Sequence, residues 1–165
     1  MAAEWIKRRK AQMELDARDA NIREGQERLA SQTIVTDGPV FWDAVLPELN
    51  EQCADMEDLG FQARAYTQPN PYCLTERTYR IDVQTKGHFP IDAFIQLIHF
   101  AGSSTIKVTG SIPKLTDISL CVTDRGIRAV SNKDMELMDP AGLAEYLLSG
   151  LVEAIERKKR TGYEN

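Results

Sequence analysis

The chain has 165 residues, of which 42% are hydrophobic and 27% charged, and its formal net charge is -5. These values are typical of one globular domain and differ from those of collagen-like, disulfide-rich or low-complexity chains. No window approaches the run of about 18 apolar residues that a membrane-spanning helix needs, and the start of the chain lacks an apolar signal region. We therefore expect a cytoplasmic protein without a membrane partner.

The first segment, residues 4–29, predicts a long polar helix. It contains no proline, one glycine and thirteen charged residues. Its apolar residues form two narrow stripes with a spacing of seven, one of Leu15, Ile22 and Leu29 and one of Ile6, Met13 and Ala20. A helix this polar is not stabilised along its whole length by packing on its own domain. We predict a charged helical arm over residues 1–32 and a globular domain over residues 33–165.

A cluster of four cations, Lys7, Arg8, Arg9 and Lys10, lies near the start of this helix. Adjacent cations bind phosphate backbones by releasing counterions, so the cluster suggests nucleic-acid binding. However, the chain is acidic overall, with a pI near 5.1, and no aromatic residues interleave with the cluster for base stacking. A solvated helix end or a contact with an acidic protein surface is the preferred interpretation.

A second helix is predicted after a short connection. Residues 33–36 resemble a small strand, and Asp37-Gly38-Pro39 is a helix-start signal. Apolar residues then recur every three or four positions at Trp42, Val45, Leu46, Leu49, Cys53 and Met56. Pro47 predicts either a late start of the regular helix or a kink. Between residues 29 and 63 the chain has seven carboxylates and no Lys or Arg, so this segment complements a basic helix such as the arm.

The rest of the chain to residue 138 alternates apolar and polar residues between turn signals, which predicts strands. The connections are too short for crossover helices, so the strands should pair antiparallel as a meander. Residues 91–100 are ambiguous, because they also fit a helix. We favour a strand there, with Ile95 and Leu97 on one face and Phe94, Ile98 and Phe100 on the other. Such a strand is apolar on both faces and requires a cover on the second.

Asp139-Pro140 then begins a final helix with a broad apolar face that includes Leu147 and Leu151. The predicted fold is therefore α+β: an antiparallel meander of five to six strands, two helices packed on it, and the protruding charged helix. The same order of elements occurs in helix-grip ligand carriers, which is an analogy of fold only.

The search for reactive motifs finds no phosphate-binding loop, nucleophile elbow, zinc-binding helix or calcium loop. The three cysteines, Cys53, Cys73 and Cys121, have no CxxC spacing, and His88 and His99 are the only histidines. We therefore expect no enzyme activity, no metal and no cofactor.

The preferred hypothesis is a protein-association or oligomerisation module that uses the arm and one face of the sheet. Its candidate interaction residues are Lys7, Arg8, Arg9, Lys10, Leu15, Ile22, Leu29, Ile95 and Leu97. The alternatives are a carrier of a small apolar ligand, with Trp42, Tyr79, Phe94 and Phe100 lining its cavity, and nucleic-acid binding through the basic cluster.

Overall fold

A computed structural model describes residues 3–87, 91–112, 115–133 and 135–161. Within these residues there are two α-helices, α1 (Glu4–Asp55) and α2 (Pro140–Arg160), and a 3₁₀ turn, Met56–Leu59, that follows α1. The strands are β1 (Phe61–Thr67), β2 (Glu76–Thr85), β3 (Ala93–Phe100), β4 (Thr105–Gly110), β5 (Ile118–Thr123), β6 (Gly126–Ser131) and β7 (Leu137–Met138). All neighbouring strands pair antiparallel in sequence order, which confirms the α+β meander.

The sheet has seven strands in the described ranges, whereas the sequence predicted five to six. The shortest strand is β7, in which Leu137 pairs with Val130 and Met138 with Ala129, and it lies within residues 135–138, where the sequence also suggests a last short strand. A strand of two residues is too short to show an alternation with a period of two. The number of strands is therefore less well predicted at this end of the sheet.

Helix α1 runs without interruption from Glu4 to Asp55, so the predicted break between the arm and the second helix is wrong. Residues 33–36 are helical, not a strand, and Pro39 and Pro47 both lie inside the helix. The β-branched residues of this stretch disfavour a helix by only a few tenths of a kcal/mol each, and the hydroxyl of Thr33 donates to the carbonyl of Leu29 one turn earlier. Gly38 is buried beside Leu120 of β5, so Asp37-Gly38-Pro39 marks the point where α1 reaches the sheet.

Residues 93–100 form β3, which confirms the strand prediction for this segment over the helical alternative. Ile95 and Leu97 are completely buried in the core. On the opposite face, the guanidinium of Arg80 lies 4.3 Å from the ring centroid of Phe94. The second face is therefore covered in part by an arginine side chain of β2.

The core lies between one face of the sheet and the two helices. Trp42, Val45 and Leu49 of α1 meet Leu147 and Leu151 of α2 in a single cluster with the inward residues of the strands. The start of α2 is capped as predicted, because the Asp139 carboxylate accepts a hydrogen bond from the Gly142 N–H at 2.7 Å. The sequence also predicts a hairpin around His88, between Gly87 and Phe89, but residues 88–90 lie outside the described ranges.

Candidate interaction surface

The arm, residues 4–32 of α1, projects from the globular part as a solvated helix. None of its residues is buried, and only Gly25 and Ala30 are partly shielded. With 52 residues, α1 is about 78 Å long at 1.5 Å per residue. The predicted division into an arm and a domain at residues 32 and 33 coincides with no break in this helix, and the first buried residue is Gly38.

The apolar stripe of the arm continues onto the part of α1 that packs on the sheet. Leu15, Ile22, Leu29 and Val40 are 50%, 54%, 64% and 67% exposed, and we call these four residues the outward stripe. Their spacings of seven and eleven keep them on one side of a helix. The buried residues Trp42, Val45 and Leu49 lie on the opposite side. The outward stripe is therefore an apolar line that faces away from the protein's own core.

The other stripe of the arm has a different relation to the domain. Ile6, Met13 and Ala20 continue, past the charged Glu27, to the half-buried Ile34 fourteen residues later and to the buried Phe41 after seven more. They therefore have the same orientation as the core-facing side of α1, but lie beyond the end of the sheet. Ile6 and Met13 remain exposed.

Few contacts within the arm stabilise its helical conformation. Lys7 and Glu4 form an ion pair at 3.9 Å, and the Gln12 amide donates to Asp16 at 3.0 Å. Exposed pairs of this kind contribute about 0–1 kcal/mol. A helix that is polar on most sides and lacks packing is only marginally stable in water.

Charge is distributed unevenly along α1. Lys7, Arg8, Arg9 and Lys10 lie at its free end, whereas the acidic segment, residues 37–58, has seven carboxylates and no Lys or Arg. Because successive residues of a helix are rotated by about 100°, the four cations point in different directions and do not form one flat basic face. In the described chain, the acidic segment has one ion pair, between Asp43 and Arg77 at 3.8 Å, and both side chains are more than half exposed.

A groove of about 390 Å³ lies where the end of α1 meets α2. Its floor is apolar and consists of Met56, Leu59, Leu148 and Val152. Three carboxylates stand around it, those of Asp55, Glu145 and Glu153. Leu59 is 66% exposed. An apolar floor with an acidic rim suits an apolar side chain next to cations.

The four aromatic residues of the ligand-carrier alternative divide between the two faces of the sheet. Trp42 and Tyr79 stack in the core with their ring centroids 4.0 Å apart, whereas Phe94 and Phe100 belong to the outer face. A groove of about 500 Å³ does open beside Trp42 and Tyr79, under the loop between β1 and β2.

The predicted interaction residues therefore have different surroundings. Lys7 to Lys10 and the three arm residues of the outward stripe lie on the exposed helix, whereas Ile95 and Leu97 are enclosed in the core. A partner that reaches β3 would contact the exposed Phe100 and the half-buried Phe94 and Ile98. Sequence reasoning missed Val40 and the groove. The spacing of eleven between Leu29 and Val40 was the available signal for the first.

His99 and the cysteines are the residues most suited to binding a metal ion or to acting as reactive groups. Among the described residues no group of three or more His, Cys, Asp or Glu side chains has a geometry that would hold a metal ion. Burial lowers the pKa of His99 and raises the pKa of Cys53 to about 11. The Cys53 thiol is therefore almost fully protonated near neutral pH, and burial favours the neutral form of His99.

Comparison with known proteins adds no family to these observations. No protein-family model matches the chain, and no curated protein matches its sequence. In the described part of the chain, no helix has the length and apolar character needed to span a membrane.

Proposed function

We propose that this protein is a non-enzymatic association module and that its binding surface is the arm with the outward stripe. The observation that carries the proposal is a half-exposed apolar stripe that faces away from the core and lies mainly on the arm, whose described side chains make few contacts with one another. Full burial of an exposed Leu, Ile or Val stabilises by about 1.5–3 kcal/mol. A partner that covers four half-exposed side chains therefore gains several kcal/mol and also stabilises the helix.

The test compares two full-length triple variants with the wild-type chain. Leu15→Glu, Ile22→Glu and Leu29→Glu together place charges in the stripe. The control is Gln12→Glu, Asn21→Glu and Gln32→Glu, which changes three exposed arm residues outside the stripe and adds the same charge. We expect the wild type and the control to show a mass above the 18.6 kDa of one chain by chromatography with light scattering, and the stripe variant to show a single chain.

Hydrogen exchange of the arm amides provides the second readout. Association should protect these amides in the wild type and in the control but not in the stripe variant, because an isolated polar helix opens readily. A monomeric wild-type chain whose arm amides are protected as strongly as those of β2 and β3 would contradict the proposal. Such an arm would be stable without any partner.

A further inference from the structure

We infer that the partner is a second copy of this chain, an inference that rests on the proposed association surface. The two α1 helices pair antiparallel along their outward stripes. The stripe of one copy then covers the stripe of the other, and the basic end of each helix lies along the acidic segment of its neighbour. The pairing has two-fold symmetry, so every contact occurs twice.

The length of α1 excludes a contact between its own two ends. Trp5 lies about 75 Å from the groove near Met56 along an uninterrupted helix, at 1.5 Å per residue. The basic end and the acidic segment of one molecule therefore cannot meet. Complementary charges at opposite ends of a rigid rod are satisfied by another molecule.

The charges also select the direction of pairing. A parallel pair would place the seven carboxylates of one acidic segment beside the same seven in the second copy, and the two basic clusters beside each other. Like charges in contact are destabilising. An antiparallel pair instead places cations beside carboxylates at both ends, and it also opposes the two helix dipoles.

One register of the two antiparallel helices brings apolar residues of the two copies opposite each other. When Ile22 is opposite Val40 of the second copy, helix geometry places Leu15 opposite Pro47, an exposed residue on the same side of α1. Leu29 is then opposite Thr33. Apolar side chains thus meet apolar ones along the outer parts of the overlap, and its centre is formed by Leu29 and Thr33.

In the same register the cations of the arm lie within about one helical turn of exposed carboxylates of the second copy. Arg18 is beside Asp43, and Arg23 is beside Asp37. Asp37 and Asp43 are both exposed, and the pair between Asp43 and Arg77 inside one chain is loose, at 3.8 Å.

The tip of the arm then reaches the groove at the base of the other helix. Trp5, which is 66% exposed, lies at the level of Glu57, next to Met56 and Leu59 of the groove floor. Arg8 lies at the level of Ala54, within a turn of the carboxylate of Asp55. The apolar floor and acidic rim of the groove therefore match the sequence of the tip, an apolar pair followed by four cations.

Charge exchange in the full-length protein tests this pairing. The first variant is Arg18→Asp with Arg23→Asp, the second is Asp37→Arg with Asp43→Arg, and the third combines all four changes and keeps the wild-type net charge. We expect each double variant to raise the dissociation constant of the dimer at least about tenfold, because four weak ion pairs per dimer become four repulsions. The fourfold variant should return to within about threefold of the wild type.

A matched control is Lys86→Asp with Arg125→Asp, which makes the same charge change at two exposed turn residues away from α1. It should dimerise like the wild type. Sedimentation equilibrium gives the dissociation constants, and a cooperative thermal unfolding transition shows that each variant keeps an intact core.

Three results would overturn antiparallel pairing. The first is a double variant that dimerises like the wild type, and the second is a fourfold variant that does not recover. If the stripe variant nevertheless dissociates the assembly, the association surface stands and only the pairing fails. The third is a wild-type chain that remains monomeric at every concentration, which removes the second copy as the partner.

Discussion

His99 is a buried histidine with half of its hydrogen-bonding capacity unused. Its Nε2–H donates to the carbonyl of Ser103 at 3.0 Å, and Nδ1 has no partner. The ring lies 5.3 Å from Trp42, which itself stacks on Tyr79. The Tyr79 hydroxyl in turn donates to the carbonyl of Trp42 at 2.9 Å. These three residues connect α1, β2 and β3 in one aromatic cluster.

The pKa of His99 predicts a pH dependence of stability. Burial lowers this pKa below the ordinary value of about 6.5. Below about pH 6.5 the unfolded chain therefore binds a proton that the folded chain does not, and the free energy of unfolding falls until the pH passes below the folded pKa. We expect His99→Gln to lose less stability than the wild type between about pH 7.5 and 5.5 in urea unfolding. An equal loss in both proteins would contradict a neutral, buried His99.

The backbone at Gly110 leads to a second prediction, which concerns the stability of the fold. Its φ is +145°, and a Cβ there would lie 2.4 Å from the carbonyl oxygen of Phe94 and 2.8 Å from the Cα of Ile95. Backbone atoms of the paired strand cannot move aside without breaking the β3–β4 pairing. We expect Gly110→Ala to lower the free energy of unfolding by more than about 2 kcal/mol in denaturant titrations.

Gly38→Ala is the matched control for that substitution. Gly38 is buried inside α1, yet a Cβ there would make only ordinary contacts of 3.8 Å with Ile34 and Leu120. Alanine favours a helix interior over glycine by about 1 kcal/mol. The same Gly→Ala change should therefore be neutral or stabilising at residue 38, and a loss as large as that at residue 110 would contradict the difference in their surroundings.

At the scale of the elements, the strands were more predictable than α1. An alternation with a period of two identifies β2, β4 and β5 because each strand has one buried and one partly wet face. The stretch from Thr33 to Pro39 combines β-branched residues with a typical break signal. Its helical state depends on tertiary packing of Trp42 and its neighbours on the sheet, which single-residue propensities do not contain.

One part of the candidate interaction surface could be predicted from the sequence, and the other parts could not. The heptad spacing of Leu15, Ile22 and Leu29 identifies an exposed stripe directly from the sequence. The groove is formed by the end of α1 and by α2, which are far apart in the chain, so local spacing has no information about it. For Ile95 and Leu97, spacing indicates a shared face but not whether that face is the buried one.

Helix α2 should be indispensable to the core. Leu147 is completely buried and contributes to the same cluster as α1 and the sheet. We expect Leu147→Ala to lower the free energy of unfolding by about 2–5 kcal/mol, and Leu147→Asp to abolish the cooperative thermal transition. The control, Leu137→Ala, changes a leucine that is 57% exposed and should cost less than about 0.5 kcal/mol. Similar effects at the two leucines would mean that α2 does not dock as described.

For the whole molecule, the arm and the globular part should respond differently to dilution. Association stabilises the segment that becomes ordered in the complex, and this stabilisation depends on protein concentration. The arm has no buried residue of its own. We expect the arm to lose helix on dilution below the dissociation constant, while the near-ultraviolet signal of Trp42, measured in a chain with Trp5→Phe, and the melting of the core stay unchanged. Far-ultraviolet circular dichroism across a dilution series measures the first change. Loss of both signals together would instead indicate that the core requires the partner.

Because α1 is continuous, the number of residues between an arm side chain and the globular part determines the direction in which that side chain points. One residue inserted after Gln32 rotates everything before it by about 100° about the helix axis, so that Leu15, Ile22 and Leu29 no longer align with Val40. Seven inserted helix-forming residues lengthen the rod by about 10 Å but restore the alignment to within about 20°. We expect light scattering to show dissociation with the short insertion and an intact assembly with the long one. The rotation of the arm stripe about the helix axis, and not the length of the arm, would then determine whether two molecules associate.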